Sequence, residues 1–331
     1  MVYPVFCQEK PDDRSYCFSL GTQFGFVHGQ SIELVYPSAT KGELLSELTY
    51  DMKPVYYYGF QVDFGRNNLM SAPGFFASLS FKTGIPGDSG THENRDWMSI
   101  ENGSLTHFST HTNKTREFHW LETYIGASIP VASYFYIKPF FSGSWMHFAF
   151  TGRDGNATYA RKTSCTCGLN IHLEGCPAKG TPDYTSYRPI GNNPHHYSFN
   201  GDAIRYQQDW LIVATGFSIG TNILSPFSFD FTFQLSPFAY CAAIDNHLLR
   251  EPPITFYDFV FNGFFIEPRG SVSFVYKRID LSLEAAYRHI GRTRAETYYI
   301  KDGSNTYNTA AEKGGAGLSL IDARFLFKVR F

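Results

Sequence analysis

The sequence predicts an all-β fold, a ten-stranded antiparallel up-and-down barrel that crosses a membrane. Three observations predict it. First, Ile321, Ala323, Phe325, Phe327, Val329 and Phe331 alternate with Asp322, Arg324, Leu326, Lys328 and Arg330. Side chains alternate faces along a strand, so one face is apolar and the other mostly charged. A sandwich strand shows the same alternation, but a barrel strand shows it with lipid on the apolar side and water on the other. Second, aromatic residues make up 18 % of the 331 residues, with 22 Tyr and 32 Phe, as aromatic girdles at two membrane interfaces require. Third, the connections alternate between short and long.

Turn residues divide the chain into strands near 15–36, 44–64, 74–84, 115–129, 133–152, 202–220, 225–242, 254–267, 271–289 and 317–331. In the fifth, Phe135, Ile137, Phe141 and Trp145 share a face. In the ninth, Ile279, Leu281, Leu283 and Ala285 interleave with Arg278, Asp280, Ser282 and Glu284. Short turns are expected near 65–73, 130–132, 221–224 and 268–270. Longer loops are expected near 37–43, 85–114, 153–201, 243–253 and 290–316. A membrane barrel needs this parity, with turns at one end and loops at the other. The even strand count brings both termini to the turn end. Residues 15–331 are read as one barrel domain. Residues 1–14 are read as an N-terminal segment, either the remnant of a signal peptide or an ordinary exported terminus carrying Cys7.

Composition excludes several classes. Net charge is −2, which does not favour a nucleic-acid partner. No stretch has the roughly 18 consecutive apolar residues of a membrane-spanning helix. Six cysteines are present, and Cys165, Cys167 and Cys176 fall in one long loop with His172. Their spacing matches no common zinc pattern, so loop disulfides are the expectation. Pro194-His195-His196-Tyr197 reads as a solvated loop rather than a chelating one.

Two clusters lie at the loop end. Asn94 and Asp96 are two residues apart, as are Asp245 and His247, so each pair points one way if its strand continues. A carboxylate beside an imidazole suits a general base, and two such pairs can hold a water between them. Loop Asp, Asn and His that merely solvate a turn give the same spacing.

Asn94-Arg95-Asp96-Trp97-Met98 resembles the D-x-D-W-M motif of the omptins, outer-membrane endopeptidases of Gram-negative bacteria, and Asp245-Asn246-His247 resembles their D-x-H. Ser109 and His111 resemble a family Ser-x-His. Glu33-Leu34-Val35-Tyr36, Ser46-Glu47-Leu48-Thr49-Tyr50, Phe150-Thr151-Gly152-Arg153 and Gly314-Gly315-Ala316-Gly317-Leu318-Ser319 resemble further family blocks in the same order. The resemblance spans about residues 31–331. It implies a ten-stranded barrel in the bacterial outer membrane, active site outward, cleaving polypeptides with a water activated by His247. Asp245 would orient that imidazole and Asp96 would hold the water. It implies substrate contacts at Glu33, Ser109 and His111, and no metal or other cofactor. The expected partners are a polypeptide substrate and outer-membrane lipid, with no nucleic acid, and a monomer is expected.

Three positions depart from the pattern. Asn94 replaces the first motif Asp and cannot ionise. Ala243 stands where the second acid of the family's basic-residue pocket belongs. Asp209 stands where a lipopolysaccharide-binding Arg is expected, so dependence on that lipid is left open. The competing reading is an omptin-like barrel without peptidase activity that acts as an adhesin or binding surface. A general porin fits less well, because an open channel needs more strands.

Overall fold

The computed structural model describes residues 16–37, 44–66, 74–97, 105–132, 134–160, 162–163, 186–187, 194–222, 224, 226–304 and 306–331. The strands are β1 (Tyr16–Tyr36), β2 (Ser46–Arg66), β3 (Gly74–Gly84), β4 (Gly87–Asp96), β5 (His107–Ala132), β6 (Phe135–Tyr159), β7 (Lys162–Thr163) and β8 (Ser186–Tyr187). They continue with β9 (His195–Thr221), β10 (Phe227–His247), β11 (Ile254–Tyr276), β12 (Ile279–Ile290), β13 (Ala295–Lys301), β14 (Asn308–Thr309) and β15 (Lys313–Arg330).

All described pairings are antiparallel. β3 and β4 are two halves of one stave, since both pair with β2 and β5. β12 and β13 form another against β11. With these joined, ten staves close into a ring. β1 seals it by pairing β15 without a shift from Ser19↔Arg330 to Tyr36↔Lys313. The expected fold class is therefore the observed one.

A barrel strand crosses a bilayer in about 9–11 residues, yet β1 has 21, β6 has 25 and β9 has 27. The apolar outer face shows where lipid ends. On β1 the exposed residues are Tyr16, Phe18, Leu20, Thr22, Phe24 and Phe26, followed outward by His28 and Gln30. On β15, Ile321, Phe325 and Phe327 face out while Asp322 and Arg324 are buried in the lumen, the register read from the sequence. The staves then continue past the lipid band, with water on their outer face.

Inside, the turn-end half is lined by Ser19, Ser78, Ser80, Ser271, Ser273 and Ser282. Above it a charged plug fills the lumen. Lys82 lies 2.5 Å from Asp322 and 3.5 Å from Glu122. Arg288 bridges Glu122 at 2.7 Å and Glu267. Arg269 reaches Glu267 at 2.7 Å, and Arg324 reaches Glu284 at 2.5 Å. Lys82 and Arg288 also lie over the ring of Trp120, at 3.6 and 4.0 Å. An apolar layer caps the plug, with Phe118, Phe148, Phe150, Trp210 and Leu318 buried in it.

Some boundaries differ from expectation. Most of the loop expected at 85–114 is strand: the chain leaves strand at 85–86, β4 runs on to Asp96 and β5 begins at His107. The turn expected at 268–270 lies inside β11, and the reversal occurs at Lys277-Arg278, where Lys277 has φ 54°. Pro268 misled because it offers no N–H. It sits where the ladder to β12 lapses, between Ile266↔His289 and Arg269↔Ala286. Cys17 is disulfide-bonded, and Cys241 is free and buried. Cys165, Cys167, Cys176 and the 1–14 segment lie outside the described residues.

Candidate active site

The site stands on the part of the barrel that rises beyond the lipid band. Its floor is a file of stacked rings. Tyr50 on β2 packs on Tyr206 at 4.6 Å and on His92 at 4.3 Å; His92 packs on His111 at 5.4 Å. Gly152 on β6 makes room for this file, since a Cβ there would lie 2.8 Å from His92 Cδ2. His92 Nδ1 meets the Thr49 carbonyl at 3.2 Å, and burial pushes its pKa down to about 3, so the ring is neutral. His111 Nδ1–H donates to the Asp154 carbonyl at 2.6 Å, which leaves Nε2 to accept from Ser109 at 3.2 Å. Both nitrogens are thus used. Ser109 and His111 are buried in the wall beneath the groove.

Above this floor, Asp245 and His247 occupy alternate positions at the end of β10. His247 Nε2 lies 2.5 Å from Asp245 Oδ2, and the imidazole is 25 % exposed while Asp245 is 1 % exposed. The contact is an ion-pair approach rather than a directed hydrogen bond: neither Asp245 oxygen has an aligned donor. Burial lowers the pKa of His247 to about 4, with Arg250 acting the same way and Glu33 and Asp96 opposing it. The neutral ring that results is the form a base requires. Phe256 closes one side, edge-on to the imidazole at 5.4 Å, and Arg250 lies over Phe256 at 5.5 Å.

Asn94 and Asp96 come from the end of β4, two residues apart and paired with β2 through Leu48 and Ser46. The Ser46 hydroxyl lies 2.5 Å from Asp96 Oδ1 and 3.1 Å from Asn94 Oδ1, binding the two side chains into one unit. Burial raises the Asp96 pKa; Ser46, His247, Arg250 and Asn94 each pull it back. Asp96 and His247 therefore act on each other's protonation across the lumen, although their strands do not touch. Asp96 and His247 are thus within electrostatic reach of one another, each beside the neighbour named with it from spacing.

Glu33 enters from β1, buried, with Tyr50 OH donating to it at 3.2 Å. Its carboxyl also meets that of Asp245. Burial first, then the charges of Asp245 and Asp258, raise the Glu33 pKa well above the usual carboxyl range. Asp245 is pushed to about 8, by burial first and by Asp258. Burial is thus the largest cause of both shifts, and Glu33 opposes it at Asp245.

Sequence reasoning missed Ser46, Tyr50, Tyr206, Arg250 and Asp258. Ser46 and Tyr50 lay inside a recognised block, but nothing in their spacing assigns them a neighbour on β4 or β1. Asp258 carries a signal only in retrospect, as a lone acid within the apolar run Phe256 to Val260.

A model of the Omptin family matches residues 14–171 and 177–324. Among solved structures, the outer membrane protease OmpT from Escherichia coli matches with a TM-score of 0.75 at 17 % identity. The match covers 96 % of this chain and 98 % of that one. At that identity the likeness concerns the fold alone. The translocator domain of the autotransporter NalP from Neisseria meningitidis covers 95 % of this chain and 88 % of its own at 9 % identity. Its TM-score of 0.38 is too low to carry an argument. No curated protein matches.

Proposed function

This chain belongs to the Omptin family, and from that premise we propose that it is an outer-membrane endopeptidase cutting polypeptides outside the cell. The observation that carries the reading is the neutral, quarter-exposed His247 beside buried Asp245, with Asp96 acting on it from the opposite wall. Nε2 faces Asp245, so Nδ1 is the nitrogen left for a water. As that water attacks a scissile carbonyl, His247 takes its proton while Asp245, beside Nε2, orients the ring. His247 then returns the proton to the leaving amine. Asp96, oriented by Ser46 and Asn94, holds the water on the far side. Glu33 receives a substrate side chain, and Ser109 and His111 contribute by bracing the groove wall.

The second reading, a barrel that binds without cutting, rests on Asn94. An amide holds a water by hydrogen bonds but adds no negative charge. A peptide-library cleavage assay on the refolded chain in lipid separates the two. Cleavage by the parent and none by His247→Ala is expected. A parent that cuts nothing, although folded, leaves the binding surface as the function.

A further inference from the structure

His195-His196-Tyr197, expected from the sequence to be solvated loop, begins β9 and carries rings into the groove wall. One register row crosses six strands there: Glu33 on β1, Leu48 on β2, Asn94 on β4, Ser109 on β5, Ala157 on β6 and Tyr197 on β9. The next row toward the rim runs through Ser46, Asp96, His107, Tyr159 and His195. Register partners share a face of the sheet. Tyr159, Tyr197 and His195 therefore stand on the inner face that Asn94 and Asp96 occupy.

The rings in these rows touch. Tyr159 packs on His107 at 4.7 Å and on Tyr197 at 5.2 Å, and Tyr197 meets His195 at 6.3 Å. Ala157 is buried beneath them. Burial first, then Asp96 and Tyr197, raise the Tyr159 pKa, so this ledge begins within electrostatic reach of Asp96. Its other end is open, with Tyr197 46 % exposed. Lipid accounts for exposed rings on the outer face, such as Phe24 and Phe325. It does not account for Tyr197, which lies beyond the lipid band on the inner face. An exposed aromatic surface continuous with a groove is a place for something to dock.

We propose that Tyr159 and Tyr197 are specificity-determining residues which, with His107 and His195, form a ledge for an aromatic side chain of the substrate, on the opposite side of the cut from the residue at Glu33. The inference rests on the peptidase reading and names part of its substrate class. Strand order supports it. Asn94 and Asp96 on β4 are two strands from Glu33, through β2, and two strands from Tyr159, through β5. A polypeptide with one side chain at Glu33 and its scissile bond at Asp96 continues on that line toward β6 and β9. Neighbouring strands are about 4.8 Å apart, so Tyr159 and Tyr197 lie roughly 10 and 14 Å along the wall from β4. An extended chain rises about 3.3 Å per residue, which puts the ledge at the second to fourth residue beyond the cut. Offset and edge-to-face rings attract beyond the area they bury, and the electron-rich ring faces repel a carboxylate.

The test is cleavage of a fluorogenic peptide set by the refolded full chain in lipid. Each of the four residues on either side of the cut is in turn Phe, Ala, Lys or Glu, and mass spectrometry maps the cut. At one position, second to fourth on one side, kcat/KM should be about tenfold higher for Phe than for Ala. Tyr159→Ala and Tyr197→Ala should each bring that ratio toward one, while Tyr159→Phe and Tyr197→Phe, which keep the rings, should preserve it. No preference for Phe at any of these positions, or Lys or Glu favoured over Phe there, overturns the ledge. A full ratio in both folded Ala variants, or in exposed Tyr197→Ala alone should Tyr159→Ala not fold, removes the tyrosines from it. If the parent cuts nothing, the peptidase reading fails and the ledge is decided by fluorescence anisotropy of the labelled Phe and Ala peptides. Tighter binding of a Phe peptide that is lost in Tyr197→Ala sustains the ledge as a binding surface, and equal binding overturns it.

Discussion

The middle of the lumen and the rim both bury ionisable groups, and they treat them differently. In the middle, Lys82, Arg269, Arg288 and Arg324 are interleaved with Glu122, Glu267, Glu284 and Asp322, so every charge meets an opposite one. At the rim, Glu33, Asp245 and Asp258 gather without an ion-paired Lys or Arg among the described residues, and His247 is held neutral. The paired cluster is a structural plug, stable only as a set. The unpaired one lacks a positive charge and has protons in its place. Charge left incomplete on rigid strands, where completing it would have been easy, marks the region that has to meet something from outside.

The largest effect that would separate the two regions is on rate. His247→Ala should lower kcat/KM by about 10²–10⁴, the usual share of a general base, with the thermal transition of the barrel nearly unmoved. A variant that cuts as well as the parent removes His247 from the chemistry. Next comes stability. Arg288→Met strands Glu122 and Glu267 and should cost about 3–5 kcal/mol, read as an earlier urea transition in micelles. A loss under about 1 kcal/mol would mean that the plug is less tightly coupled than its contacts imply.

Removing charge at the rim should do the opposite. Asp245→Asn should hold or raise stability while activity collapses, as expected where a site is built at the expense of stability. The pH dependence follows from the same groups. Asp245 and Asp258 hold protons up to about 8 and 7 when folded, but only to about 3.9 when unfolded. Their contribution to stability is therefore full below about pH 4 and is lost as pH rises through 7 to 8. The thermal midpoint should fall over that window, and Asp258→Asn should flatten the fall. A midpoint that rises across it contradicts the raised values.

Smaller again is Asn94→Asp. It restores a carboxylate pair beside Ser46 and should raise kcat/KM, each tenfold gain being about 1.4 kcal/mol. Two close carboxyls raise one pKa, so the acid limb of the pH–rate profile should move up as well. An unchanged or slower enzyme would mean that the water is held through the amide. The least effect is expected from Tyr50→Phe, which removes one donor from Glu33 for about 0.5–1.5 kcal/mol of stability.

The sequence was legible where lipid touched it. Strands such as β12 and β15 alternate because one face meets hydrocarbon, and their registers could be read from Leu283 or Phe325. On β4, above the lipid band, the residues of both faces are polar, and the period of two carries no hydrophobic signal. Gly87-Asp88-Ser89-Gly90-Thr91 therefore reads as loop although it is strand. The catalytic candidates stood out because Asp245 and His247 repeat the strand spacing within three residues. Asp258, Tyr50 and Ser46 did not, since their partners are fixed by cross-strand register, which no short stretch of sequence contains.

The seam between β1 and β15 has a consequence for how such a molecule comes into being. Its two edges are separated by nearly the whole chain, so this ladder forms only after loop closure over about 300 residues, the slowest kind of contact to make. Before that moment the sheet has two open edges, each able to accept a strand from another molecule. Afterwards it has none. Assembly therefore passes through one latch whose unshifted register, Ser19↔Arg330 to Tyr36↔Lys313, admits the chain's own last strand. Whatever escorts the unlatched sheet to the membrane must cover those edges and let go as they meet.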